Sequence, residues 1–195
     1  MANTQCLALL RGINVGGKNI IKMTDLKACF ESCKLENVIT YIQSGNVLFE
    51  TDETDPVKLV RRLERDLSRT FSSNKLRIVL CSHAKLTQIV RNAPKGFGRE
   101  PQRYRYDVIF LREPLTAGQA IKSVRTKKGV DEAFIGQDVL YFSRLTARAS
   151  ESQLARIVAL PVYKDMTIRN WNTTSKLLAL MDSRTQHSFI EGSSK

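Results

Sequence analysis

A chain of 195 residues is long enough for one large domain or for two of about 100 residues, each able to close its own core. Its 42% hydrophobic and 26% charged content is that of a globular protein, and no apolar run nears the roughly 20 residues a membrane span requires. Lysine and arginine outnumber aspartate and glutamate by 31 to 19, a net charge of +12 that suits phosphorylated metabolites, nucleic acid or an acidic protein as partner.

The opening MANTQCLALLRG has no basic segment ahead of its apolar stretch, which ends at Arg11 rather than at a small-residue cleavage site. No export signal is therefore expected, and the protein is placed in the cytoplasm. Periodicity predicts a strand over 5–11, then a helix from Asp25 to Cys33 with Thr24 as its cap. Strands over 38–43 and 47–51 follow, joined by the tight-turn composition Ser44-Gly45-Asn46. Asp55 before Pro56 caps a helix to Phe71, since proline suits the first helical position. A β-branched strand over 76–81 comes next, and Ser82 caps a helix to Asn92.

After a loop holding Pro94, Gly96, Gly98 and Pro101, the order recurs. A strand over 104–111 and a helix over 116–124 precede a hairpin of 132–135 and 139–143, turned at Gly136-Gln137-Asp138. Residues 149–160 read as a helix, 166–169 as a strand, and 173–181 as a last helix capped by Asn172. The two hairpins, YIQSGNVLF and AFIGQDVLYF, look alike, which suggests a structural duplication. The expected fold is α+β: two tandem ferredoxin-like (split βαβ, βαββαβ) units, each with an appended helix. The expected division is 1–93 and 104–182 for the units, 94–103 for a linker, and 183–195 for a polar, disordered tail.

In that topology the first strand and the hairpin meet at one edge, bringing RGINVGGKN beside QSGN. Gly12-x-x-x-x-Gly17-Lys18 matches most of a phosphate-cradling loop. Asn19, however, stands where a magnesium-binding hydroxyl belongs, the helix starts late, and no acidic strand end completes a metal site, which argues against nucleotide hydrolysis. A milder anion site survives: amides of Gly16 and Gly17 exposed beside Arg11, Lys18 and Lys22. The competing reading is a turn that needs glycine for positive φ, with Asn14 bonding its own loop. Arg61, Arg62, Arg65 and Arg69 form a helical basic run interrupted by Glu64 and Asp66, which reads as a solvated face. Phe97, Tyr104 and Tyr106 alternate with basic residues, as in a segment that stacks on bases. Tyr104 and Tyr106 nevertheless fall in register with Val108 on one strand face, which favours packing instead. The central strands of the first unit, CLALL and NVLF, lack the aromatics of an RNA-recognition sheet.

Cys6 and Cys81 sit in apolar runs, and Cys29 and Cys33 are one helical turn apart, so four buried thiols are expected. With only His83 and His187 and no CxxC spacing, neither metal nor cofactor is expected, and neither histidine joins a nucleophilic triad.

Together LLRGINVGGKN, YIQSGNVLFE, YRYDVIFL and RNWNTTSKLLAL resemble the bacterial family called domain of unknown function 1697, over residues 6–181. The resemblance implies two ferredoxin-like halves and supplies no catalytic residue. The leading expectation is a binding protein for a phosphate-bearing ligand, nucleic acid included, held by Arg11, Asn14, Gly16, Gly17, Lys18, Gln43, Ser44 and Asn46. The first alternative is an enzyme acting on a small acidic or phosphorylated metabolite in a cleft between the halves, oriented by Arg169, Asn170 and Asn172. The second is an adaptor for an acidic protein. No oligomeric state is assigned.

Overall fold

The computed structural model describes residues 3–14, 20–73 and 76–192, with side chains followed to Thr185. It is a mixed α+β protein with two four-stranded antiparallel sheets, which share one strand order, β2-β3-β1-β4 and β6-β7-β5-β8. Residues 1–86 with 180–195 form one compact unit, and 87–179 form the other. The expected division at 94–103 differs from this one: the chain divides at Leu86/Thr87 and again at Ala179/Leu180.

In the first unit, β1 (Thr4–Arg11) is central, and Cys6, Leu7, Ala8, Leu9 and Leu10 are all buried, as a strand covered on both faces must be. It pairs with β3 (Asn46–Thr51) and β4 (Arg77–Ser82), while β2 (Glu36–Tyr41) lies outside β3. Leu7 faces Cys81 and Cys6 faces Ser82, so the two thiols sit on adjacent strands. All four cysteines are buried and free.

The helix α1 (Met23–Ser32) starts earlier than expected, with Lys22 at its N-cap and no side-chain cap; Thr24 is inside it and its hydroxyl donates to Asp25 Oδ1. By contrast α2 (Pro56–Thr70) begins as its sequence dictates. Asp55 accepts from the amides of Val57 and Lys58, Pro56 occupies the first turn, and Leu59, Leu63 and Leu67 are buried at four-residue spacing. Arg61, Arg65 and Arg69 are exposed on the other face. Ser82 Oγ accepts from Lys85 N at 3.2 Å ahead of α3 (His83–Arg91).

The second unit is built on β5 (Tyr104–Leu111) between β7 (Val139–Leu145) and β8 (Met166–Asn170), with β6 (Asp131–Ile135) at the edge. Thr116 and Gln119 form a capping box at α4 (Ala117–Ser123). The helix expected over 149–160 is absent; three short 3-10 turns span 146–151, 154–159 and 161–165. Ser152 is extended (φ −62°, ψ 142°) and its hydroxyl accepts from Leu154 N, while Pro161 opens the third turn. Buried Asp131 also takes the amides of Lys127 and Gln153, drawing the chain away from a helical path.

The last helix, α5 (Trp171–Gly192), is longer than predicted. Its cap is Asn170, whose Oδ1 accepts from Asn172 N at 2.9 Å, so Asn172 is already in the first turn. Residues 183–192, expected as a disordered tail, continue this helix. Within the first unit, Arg184 Nη2 donates to Asn37 O at 2.6 Å, lies 3.2 Å from Glu50 Oε1, and Asp182 Oδ1 lies 2.6 Å from His83 Nε2.

Candidate functional site

The end of the first sheet is built by a loop and a turn that grip one another. Leu10 N donates to Gly45 O at 2.8 Å, carrying the β1 ladder into the hairpin turn. Gly45 has φ +73°, and a Cβ there would lie 2.6 Å from Ile13 Cδ1 and 2.9 Å from Leu10 Cβ, so this turn excludes any larger residue. Asn14, at φ 52°, takes a left-handed conformation that asparagine tolerates. Its Nδ2 donates to the carbonyls of Gln43 (2.9 Å) and Ile21 (3.1 Å), and its Oδ1 accepts from Ile21 N (2.8 Å). One carboxamide thus ties both ends of the loop together and pins them to the hairpin.

Among the predicted site residues, Arg11, Asn14, Gln43, Ser44 and Asn46 come together at this end, while Gly16, Gly17 and Lys18 lie outside the described residues. Gln43 and Ser44 are exposed. Asn46 is fully buried and its Nδ2 donates to Tyr41 O and Ser44 Oγ, both at 2.9 Å, so it shapes the turn from within. Asn14 likewise spends its amide on the protein itself.

Sequence reasoning missed Arg77, which pairs directly with Arg11 across β1 and β4. Like charges facing each other across antiparallel strands repel, so this sheet end concentrates positive charge. Arg77 Nη1 donates to Leu76 O at 2.7 Å. The signal was present in the topology, because pairing Cys6 with the region of Cys81 carries Arg11 to within a residue of Arg77.

Arg169, Asn170 and Asn172 follow one another from the end of β8 into α5. Arg169 is buried, its Nη1 donating to Thr167 Oγ1 (2.8 Å) and Ile168 O (2.9 Å), and burial lowers its pKa to about 10. Asn170 caps the helix, and its carbonyl accepts from Thr174 Oγ1 at 3.1 Å. These contacts organise a strand-to-helix corner. Among the described residues no group of three or more metal-ligating side chains occurs, and no helix is long and apolar enough to cross a membrane.

The fold and this edge define a protein of two like-ordered antiparallel sheets with a basic loop-and-hairpin end on the first. The chain belongs to the family described as "Protein of unknown function (DUF1697)", which matches residues 3–141. Among solved structures it is similar to a conserved bacterial protein from Streptococcus pneumoniae, at 28% identity and a TM-score of 0.79, covering 91% of this chain and 98% of that one. No curated protein matches the chain.

Proposed function

We propose that the protein binds a phosphate-bearing ligand, nucleic acid included, at the end of the first sheet where Asn14 meets turn 42–46, with Gly16, Gly17 and Lys18 of the sequence as further contacts. The observation that carries this reading is the Asn14 clamp, which gives a glycine- and lysine-bearing loop a fixed base beside the hairpin. Arg11 and Arg77 supply the attracting charge, and Gln43 and Ser44 supply exposed polar groups. In the same reading each unit is a ferredoxin-like fold, a view supported by the third strand lying between the first and second in both sheets. A cytoplasmic setting fits the four free, buried thiols.

Isothermal titration with inorganic phosphate and a short oligonucleotide tests the reading. Replacing Arg11 and Lys18 with Ala weakens binding by roughly 2 to 4 kcal/mol if each makes a charge-assisted hydrogen bond. The same double change at exposed Arg61 and Arg65 leaves affinity nearly unchanged. Equal losses from both pairs would mean diffuse electrostatics and a loop that is only a turn.

A further inference from the structure

The second unit carries a concavity that the anion edge does not use. In register across β6, β7 and β5, Glu132 faces Ser143 and Ser143 faces Tyr106; one row on, Phe134 faces Tyr141 and Tyr141 faces Val108. Segment 94–100 folds over this face, because Phe97 packs edge-on against Tyr106 (4.8 Å), Tyr141 (5.4 Å) and Trp171 (5.2 Å between ring centroids). Between segment and sheet lies a cavity of about 210 Å³ whose walls include Phe97, Tyr104, Tyr106 and Phe134 and whose carboxylates are Glu100 and Glu132.

Three features define what such a space can hold. Its walls are aromatic, and ring faces attract cations through their quadrupoles. The ring of Tyr104 already does so, with the Arg103 guanidinium carbon 5.2 Å from its centroid. Its two carboxylates stand out in a chain of net charge +12. Glu132 has no ion-pair partner among the described residues, and Glu100 has only a 3.5 Å contact with Arg103, both side chains well exposed. Finally Ser143 lines the cavity, and its hydroxyl can both donate and accept a hydrogen bond there.

We infer that this pocket binds a small organic cation, a substituted ammonium group, seated against Phe134, Tyr104 and Tyr106 with Glu132 as its counter-charge and Ser143 as a hydrogen-bonding wall. The site is separate from the anion edge, since every lining residue belongs to the second unit.

The test is a titration of the full chain with choline and with its uncharged isostere, in which carbon replaces the ammonium nitrogen. Trp171, the only tryptophan, lies one ring behind the pocket wall and reports by its fluorescence. Choline is expected to bind saturably and severalfold tighter than the isostere, the ratio that a partly exposed cation–π contact with a counter-charge gives. Glu132→Gln and Phe134→Leu, both at exposed positions on the edge strand, should each weaken choline severalfold, while Glu31→Gln in the first unit leaves it unchanged. Lys95→Met, which removes the one basic side chain lining the pocket, should hold or tighten choline binding. Equal affinity for the isostere, weakening by Lys95→Met, or saturation by a nucleoside with no response to choline would each overturn the assignment.

Discussion

Replacing Gly98 with alanine should cost the second unit far more than the loss of one hydrogen atom suggests. Gly98 has φ +80°, a left-handed conformation that costs a non-glycine residue about 1 to 2 kcal/mol. The added Cβ would also stand 2.2 Å from Trp171 Nε1 and 2.5 Å from its Cδ1, so the indole must move by more than an ångström. That ring meets Phe97 edge-on, with an interplanar angle of 89°, and Phe97 holds Tyr106 and Tyr141. Overpacking of this kind costs about 1 to 3 kcal/mol, and a disrupted aromatic pair a further 0.5 to 1.5 or so, giving roughly 3 to 6 kcal/mol in all. Gly96 is the internal control: its φ is +84°, but nothing lies within 4 Å of its Cβ position, so Gly96→Ala should show the backbone cost alone. Urea unfolding followed by Trp171 fluorescence compares the two variants. Equal midpoints, or an unchanged emission spectrum in Gly98→Ala, would refute the packing assigned to segment 94–100.

Asn14→Gly keeps access to positive φ but removes three hydrogen bonds of 2.8 to 3.1 Å; circular dichroism in urea should show the first unit less stable by about 2 to 4 kcal/mol. Burial raises the Cys6 and Cys33 thiols to about 11, so as pH rises from 9 towards 11 the unfolded chain loses protons first and stability falls, a trend readable from urea midpoints. At pH 8 both thiols should react slowly with a thiol-specific disulfide reagent. Arg144→Met strips buried Asp107 of the guanidinium 3.2 Å away and should destabilise the second unit by about 3 to 5 kcal/mol at neutral pH. Burial already raises the Asp107 pKa, so this penalty should ease as pH falls and the carboxyl takes a proton, and Asp107→Asn in the Arg144→Met background should restore most of the loss.

Local signals carried the sequence reading where the physics was local. Strand 104–111 was legible to the residue because an unbroken apolar run, Val108 to Leu111, fills its last four positions, and Asp55-Pro56 marked its helix start because cap and first turn are adjacent in the chain. The end-to-end placement of the loop and hairpin followed from strand order alone. Segment 149–160 misled because Leu154 and Ile157 have a spacing that suits a helix or successive 3-10 turns equally, while the deciding contact, Asp131 to Gln153, spans 22 residues. The continuation of α5 was invisible for the same reason: Asp182 and Arg184 are polar, and their partners His83 and Asn37 are 99 and 147 residues away. The candidate site was half legible. Its residue types stood out, but that Asn14 clamps the loop, and that Arg77 joins Arg11, are consequences of tertiary pairing.

Amide chemical-shift mapping with inorganic phosphate tests the anion edge most directly. Saturable shifts confined to loop 12–19, turn 42–46 and the ends of β1 and β4 around Arg11 and Arg77, with affinity that falls as salt rises, are the predicted result. Shifts centred on the basic face of α2, or spread evenly over lysines and arginines of both units, would contradict it.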